Sequence, residues 1–269
     1  MDTRRVIRCA TFAERCRLAG TFGAWFASSR GVLCSLILVA FAAPRVWAET
    51  PCPIPDAMAL HDISLPAARQ QVATEQRLVV LTFGGVRPAG ANAVTSEATY
   101  PARLQATLNA ALPEIQVTVA NEAPPGRTSA DVPAALPGLL AKTGARLVIW
   151  GPGGRDVAAR LDLETFRAAV NGGIDAARHG GADLILLDTT FVPSPARMVQ
   201  IEPFRNRLLE AAAANQVPVL RRHGLMRLWD EDGTLNLAAR DPVERETVVR
   251  HLFSCVAQGL AGAIAGAVR

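Results

Sequence analysis

The sequence is poor in the residue types that usually carry metal and nucleotide chemistry. It has 4 histidines in 269 residues, and no two of them have the spacing of metal ligands. Lys142 is the only lysine among 28 basic residues. The glycine-rich run at 151–156 lacks the lysine, followed by serine or threonine, of a nucleotide-binding P-loop. The sequence therefore predicts neither a metal nor a cofactor.

The net charge of +4 resides at the N-terminus. Residues 1–48 carry seven arginines against Asp2 and Glu14, a balance of +5, which leaves −1 for the rest of the chain. The basic character of the chain therefore belongs to its first 48 residues, and nothing else suggests nucleic-acid binding, so we expect no nucleic-acid partner. The sequence does not indicate an oligomeric state.

The first 48 residues have the anatomy of a secretory signal peptide. A basic region precedes the apolar run at 31–43, and small residues lead to a cleavage site after Ala48. The apolar run has 13 residues, whereas a bilayer span needs about 20. We expect a periplasmic or secreted protein with no permanent membrane span after cleavage.

Two cysteines remain in the predicted mature chain, Cys52 near its start and Cys255 near its end. In an exported protein this arrangement favours a disulfide. The loop that it would close is long, and the chain-entropy relation gives about 5 kcal/mol as an upper figure for the stabilisation. The alternative is a pair of buried, unpaired thiols.

The rest of the chain alternates apolar runs with amphipathic stretches. Residues 49–76 form a proline-rich, weakly helical N-terminal extension, and residues 77–269 form the main domain. We predict strands at 78–83, 115–120, 145–150, 182–188 and 217–222, and helices near 99–111, 131–143, 162–179, 202–214 and 243–268. Strands that are apolar throughout and separated by helices predict an α/β fold: a three-layer α/β/α sandwich around a five-stranded parallel sheet.

Several segments resemble the SGNH (GDSL-type) hydrolases. GANAVTSEATYPARL at 90–104 is a long match to the segment that follows the nucleophile block in exported bacterial members. RRHGLMRLW at 221–229 and SCVAQGLAGAI at 254–264 look like the segments after the last strand and in the closing helix. The resemblance implies a flavodoxin-like SGNH fold with strand order 2-1-3-4-5.

The same resemblance places departures at the catalytic positions. Val86 stands where the family has its nucleophilic serine, and Arg155 replaces the asparagine that donates to the oxyanion. Gly126 matches the last glycine of the family's second conserved block, N-x-G-x-x-G. The family's final aspartate and histidine align with Glu244 and Thr247. Valine cannot attack an ester, and threonine is no general base near neutral pH.

Three arginines follow the first three predicted strands: Arg87, Arg127 and Arg155. Since ligands of such sheets bind beyond the carboxyl ends of the strands, these arginines should rim one crevice beside the backbone N–H of Gly126. Convergent arginines suit a carboxylate, sulfate or phosphate group. The alternative is that they pair with Glu122, Asp131 or Asp156, or are simply solvated.

Three functions remain open. The first is a protein without esterase activity that binds an anionic glycan or lipid group, or an acylated ligand of the cell envelope. The second is a working esterase that acts on envelope polysaccharides or lipids, for which His251, one helical turn beyond Thr247, is the candidate base. The third is a scaffold with an inert cleft.

Overall fold

The computed structural model describes residues 52–84, 99–122 and 128–269. The strands are β1 Arg77–Gly84, β2 Gln116–Asn121, β3 Leu147–Gly151, β4 Asp183–Leu187 and β5 Val219–Leu220. The helices are α1 Pro66–Glu75, α2 Tyr100–Ala111, α3 Val132–Thr143, α4 Gly154–Ala158, α5 Leu163–His179, α6 Pro195–Ala214, α7 Arg222–Glu231 and α8 Pro242–Val268. Helices and strands alternate along most of the chain.

The five strands form one parallel sheet in the order β2-β1-β3-β4-β5. Both the parallel sheet and its order are therefore confirmed. The register pairs Thr82 of β1 with Asn121 on one side and Ile149 on the other. The carboxyl ends of β1, β2 and β3 consequently meet at one edge, which is where an open α/β sheet places its ligand site.

Helices cover both faces of the sheet. Leu78 and Val80 of β1 point into a core that includes α2, α7 and α8, whereas Val79, Leu81 and Phe83 point into a second core with α3, α5 and α6. The alternation arises because successive strand side chains face opposite sides. Since both sides are buried, the central strands are apolar throughout.

The predicted start of α6 near residue 202 is wrong. The helix begins at Pro195 and continues through Pro203. A proline inside a helix has no N–H for the carbonyl four residues earlier, which normally ends or kinks the helix. Here that carbonyl belongs to Val199, which is strongly exposed, and Pro203 is exposed as well. We infer that water satisfies the carbonyl, so the proline interrupts little.

The N-terminal segment is fastened to the domain by the predicted disulfide, which joins Cys52 to Cys255 of α8. The Cα atoms are 5.4 Å apart, an ordinary separation for such a bond. Beside it, the indole N–H of Trp229 on α7 donates to the Pro53 carbonyl at 2.8 Å. The segment after Cys52 thereby links α7 to α8.

Helix α8 is long and apolar enough to cross a membrane by length and composition. However, 61% of its apolar 18-residue stretch is buried within the protein. There, Leu260, Ile264 and their neighbours pack into the core on one face of the sheet. Its apolarity is therefore explained by packing. The predicted signal peptide, residues 1–48, lies outside the described residues.

Candidate functional site

Backbone crowding at the ends of β1 and β3 requires a glycine at position 84, two residues before Val86, the position of the family's serine. Gly84 has a φ of 67°, and a Cβ at this position would lie 3.0 Å from the carbonyl oxygen of Gly151. Only glycine adopts this conformation without strain and leaves room for the neighbouring strand. Val86, Arg87, Gly126 and Arg127 fall outside the described residues.

The segment after β3 that carries Arg155, residues 153–156, is held by a buried carboxylate. Asp156 is 1% exposed, and its Oδ1 accepts from the Ser129 backbone N–H at 2.7 Å. Its Oδ2 accepts from the Ser129 hydroxyl and from the Gly153 N–H, both at 2.8 Å. Asp156 thus ties the loop after β3 to the residues that follow β2.

Gly153 completes this arrangement. Its φ is 106°, a region that favours glycine, and a Cβ there would lie 2.8 Å from the Thr189 methyl carbon. The segment after β3 therefore packs at Gly153 directly against Thr189, which follows β4. The glycine is required both for its backbone conformation and for this close approach.

Arg155 is exposed on α4, immediately after β3. The carboxylates considered as its partners have other bonds: Glu122 pairs with Lys142 at 2.8 Å, and Asp131 accepts from the Thr128 N–H at 3.0 Å. Asp156 is buried in the network described above. Among the described residues, the Arg155 guanidinium makes no ion pair, and it lies at the carboxyl edge of the sheet.

The residues aligned with the family's acid and base lie at the start of α8. Thr247 is exposed, and its hydroxyl donates to the Val243 carbonyl at 3.1 Å. Glu244 is also exposed and accepts from the Asn236 amide at 2.7 Å. A threonine hydroxyl bonded within its own helix supplies neither a base nor a nucleophile.

His251 lies beside the disulfide, with its Nε2 atom 3.5 Å from Cys52 Sγ. Ligand atoms of Cys52, His251 and Cys255 lie within 4.8 Å of one another, a spacing that could hold a metal ion. Because the two sulfurs are joined in the disulfide, neither is a thiolate, and the thiolate is the form that binds metal. In the oxidised protein this group serves as a structural link.

A polar cluster that the sequence reasoning missed lies at the end of β4. Asp188 is fully buried, and both of its carboxylate oxygens accept from Arg205 Nε, at 3.1 and 3.0 Å. Its backbone carbonyl accepts from Arg222 Nε at 2.9 Å. Asp188 thus connects β4 to α6 and α7. An aspartate that directly follows a buried strand was the available signal.

His223 lies in the same region and is 4% exposed, with its ring packed edge-on against Phe191. Burial lowers the pKa of His223, and the charge of Arg205 lowers it further, while the Asp188 carboxylate acts in the opposite direction. The imidazole Nε2 has no hydrogen-bond partner in the described parts of the chain. The neutral form of the ring is favoured there.

The sequence profile of one protein family, described as the Non-GDSL lipase-like family, matches residues 51–269. The chain belongs to this family. No curated protein sequence matches the chain significantly. The family and the fold together place the chain in the SGNH hydrolase superfamily.

Several solved structures share the fold at low identity. TesA is 21% identical with a TM-score of 0.50, over 66% of this chain and 97% of that one. AlAXEase, an acetyl xylan esterase, is 14% identical with a TM-score of 0.52, over 66% and 100%. A variant of Axe2, an acetyl xylan esterase from Geobacillus stearothermophilus, is 16% identical with a TM-score of 0.51, over 70% and 94%. At these identities the likeness establishes the fold alone.

Proposed function

We propose that this protein is an exported SGNH hydrolase-like protein without esterase activity, which uses the carboxyl edge of its sheet to bind an anionic group of a glycan or a lipid. The observation that carries the proposal is the chemistry of the residues at the family's catalytic positions. Val86 offers no nucleophile, and the Thr247 hydroxyl is bonded to the carbonyl of Val243 in its own helix.

The loss of activity follows from how such residues act. Nucleophile and base work as a unit, and losing either alone costs about 10⁶ in rate in a serine protease with the same kind of triad. The other imidazole near the family position, that of His251, contacts the disulfide sulfur of Cys52. The hydroxyl one helical turn before it, that of Thr247, donates to the Val243 carbonyl, which argues against a rebuilt catalytic pair of these two residues.

Binding of an anion is supported by Arg155. Its guanidinium is exposed at the carboxyl edge, while Asp156, the carboxylate next to it in sequence, is buried and satisfied by three donors. A guanidinium presents a planar fork of N–H groups that matches carboxylate, sulfate and phosphate. Export is supported by the leader at 1–48 and by the disulfide, since such bonds persist in oxidising compartments.

The binding test uses the exported protein, sulfate, and polygalacturonate as a polymeric carboxylate. We expect Arg155→Gln to weaken binding about tenfold, because one charge-assisted contact contributes about 1.5 kcal/mol. Arg69→Gln is the matched control, since Arg69 is also exposed but lies on α1, whose Ala68 N–H bonds Asp183 at the amino end of β4. Equal binding by both variants would remove Arg155 from the site.

A further inference from the structure

Three residues with metal-binding side chains meet where the N-terminal segment contacts α8. Cys255 is fully buried, Cys52 is 8% exposed and His251 is half-buried, and their ligand atoms lie within 4.8 Å of one another. His251 and Cys255 are four residues apart on α8, so the helix presents both side chains on one face. The oxidised protein joins the two sulfurs in the disulfide. The reduced protein carries two thiols and an imidazole at the same point.

Two cysteines and a histidine are a ligand set of zinc. Zinc binds thiolate sulfur at about 2.3 Å and imidazole nitrogen at about 2.0–2.1 Å, with tetrahedral angles. These bond lengths place a nitrogen and a sulfur on the same ion about 3.6 Å apart. In this structure His251 Nε2 lies 3.5 Å from Cys52 Sγ. This pair therefore already has the separation that a shared zinc ion requires.

The two sulfurs have to move apart before an ion can enter. On one tetrahedral zinc ion they would lie about 3.8 Å from each other. The Cα atoms of Cys52 and Cys255 are 5.4 Å apart, and each sulfur is two bonds from its Cα. Because the required separation is shorter than the distance between the Cα atoms, side-chain rotation can reach it once the disulfide is broken.

The N-terminal segment has contacts with α7 and α8 that do not need the disulfide. The indole N–H of Trp229 donates to the carbonyl of Pro53, the residue after Cys52, at 2.8 Å. Ile54 packs so closely on α8 that a Cβ added at Gly259 would lie 2.9 Å from its Cδ1 atom. These contacts keep the reduced Cys52 thiol near its partners, which lowers the entropic cost of assembling the three ligands.

We propose that Cys52, Cys255 and His251 bind a zinc ion when the disulfide is reduced. A dithiol such as dithiothreitol supplies two electrons and two protons: its own sulfurs become a disulfide, and the two cysteines become thiols. Zinc then displaces one proton from each thiol and takes the neutral imidazole as its third ligand. Water completes the coordination, as in other sites with three protein ligands. The ion fastens the N-terminal segment to α8 in place of the disulfide.

This inference does not depend on the function proposed above. The zinc site does not include Arg155, and its tests measure bound metal rather than anion binding or ester hydrolysis. Loss of binding to polygalacturonate in Arg155→Gln and binding of metal by the reduced protein are therefore separate results. Either can fail while the other holds.

Cobalt(II) is the probe, because it occupies zinc sites and its thiolate complexes are coloured, whereas zinc has a filled d shell. The full chain carries Cys9→Ser, Cys16→Ser and Cys34→Ser, which leaves Cys52 and Cys255 as its only cysteines. After reduction with dithiothreitol and removal of the reagent without oxygen, one cobalt ion per chain should give a sulfur-to-cobalt charge-transfer band, and zinc should abolish it. No band in the reduced protein, or an equal band in the oxidised protein, would overturn the proposal.

Histidine variants of the same chain test the third ligand. His251→Ala should weaken cobalt binding by more than about tenfold, since even the loss of an outer partner of a metal ligand costs about 10–100-fold. His179→Ala is the matched control, because His179 is exposed on α5, on the opposite face of the sheet from α8. It should leave the affinity unchanged. Equal affinities of the two variants would remove the imidazole from the site and contradict the proposal.

Thermal unfolding shows whether the folded chain holds the ion. Zinc should raise the melting temperature of the reduced protein, because a ligand of the folded state stabilises it, and should leave that of the oxidised protein unchanged. A cobalt band without this rise would mean that the unfolded chain binds the metal, and the proposal would be wrong. Should the reduced protein unfold without metal, zinc must restore the circular dichroism of the oxidised protein, and failure to do so would count against the site equally.

Discussion

Replacing Asp156 by asparagine should destabilise the protein strongly, although the two side chains have nearly the same shape. The carboxylate accepts three hydrogen bonds, from the Ser129 N–H, the Ser129 hydroxyl and the Gly153 N–H. In Asp156→Asn an amide NH₂ would replace Oδ2 and face the Gly153 N–H donor. Two charge-assisted bonds would be lost, each contributing about 1.5 kcal/mol or more, so we expect a loss of about 3 kcal/mol.

Urea unfolding followed by circular dichroism measures this loss as a lower midpoint at unchanged slope. Asp162→Asn is the matched control. Asp162 is exposed and caps α5 by accepting from the Thr165 N–H at 2.9 Å, and asparagine caps a helix about as well as aspartate. We expect that control to change the free energy of unfolding by less than about 0.5 kcal/mol. Equal effects of the two substitutions would refute the assigned role of Asp156.

Three further predictions concern stability. Reducing the Cys52–Cys255 disulfide, which spans 203 residues, should cost up to about 5 kcal/mol, measured by urea unfolding with and without dithiothreitol; a cost below about 1 kcal/mol would contradict it. Gly153→Ala should cost about 2 kcal/mol or more through its φ of 106° and the Thr189 methyl, and an unchanged urea midpoint would exclude this contact. Because the pKa of His223 is lowered in the fold, the unfolded chain binds the proton first, so stability should fall as the pH drops below about 6.5 and level off below the folded pKa. Thermal unfolding of His223→Gln should show a shallower fall between pH 7 and 5, and an equal fall would show that other groups cause it.

The sheet could be predicted because local pattern and tertiary context agree. Strands such as Leu147–Gly151 are apolar throughout since both of their faces are buried, and that pattern is visible without a structure. The start of α6 could not be read correctly, because Pro203 suggests a boundary, whereas the exposure of the Val199 region lets the helix continue through it.

The candidate site, too, could be predicted from the sequence only in part. The departures at Val86 and Thr247 follow from comparing residue types in the sequence with those that ester chemistry needs. The position of Asp188 after a buried strand was a signal, but its partners and the burial of Tyr100 could not be predicted, because they depend on which side chains from distant elements meet. Burial of a polar atom is a property of packing, which the sequence pattern carries only indirectly.

Hydrolysis of p-nitrophenyl acetate by the purified exported protein tests the central claim most directly. The account predicts turnover no greater than that of His251→Ala and Thr247→Ala proteins prepared in parallel, since Val86 offers no nucleophile for a base to activate. Turnover in the unmodified protein that disappears in His251→Ala would contradict the account.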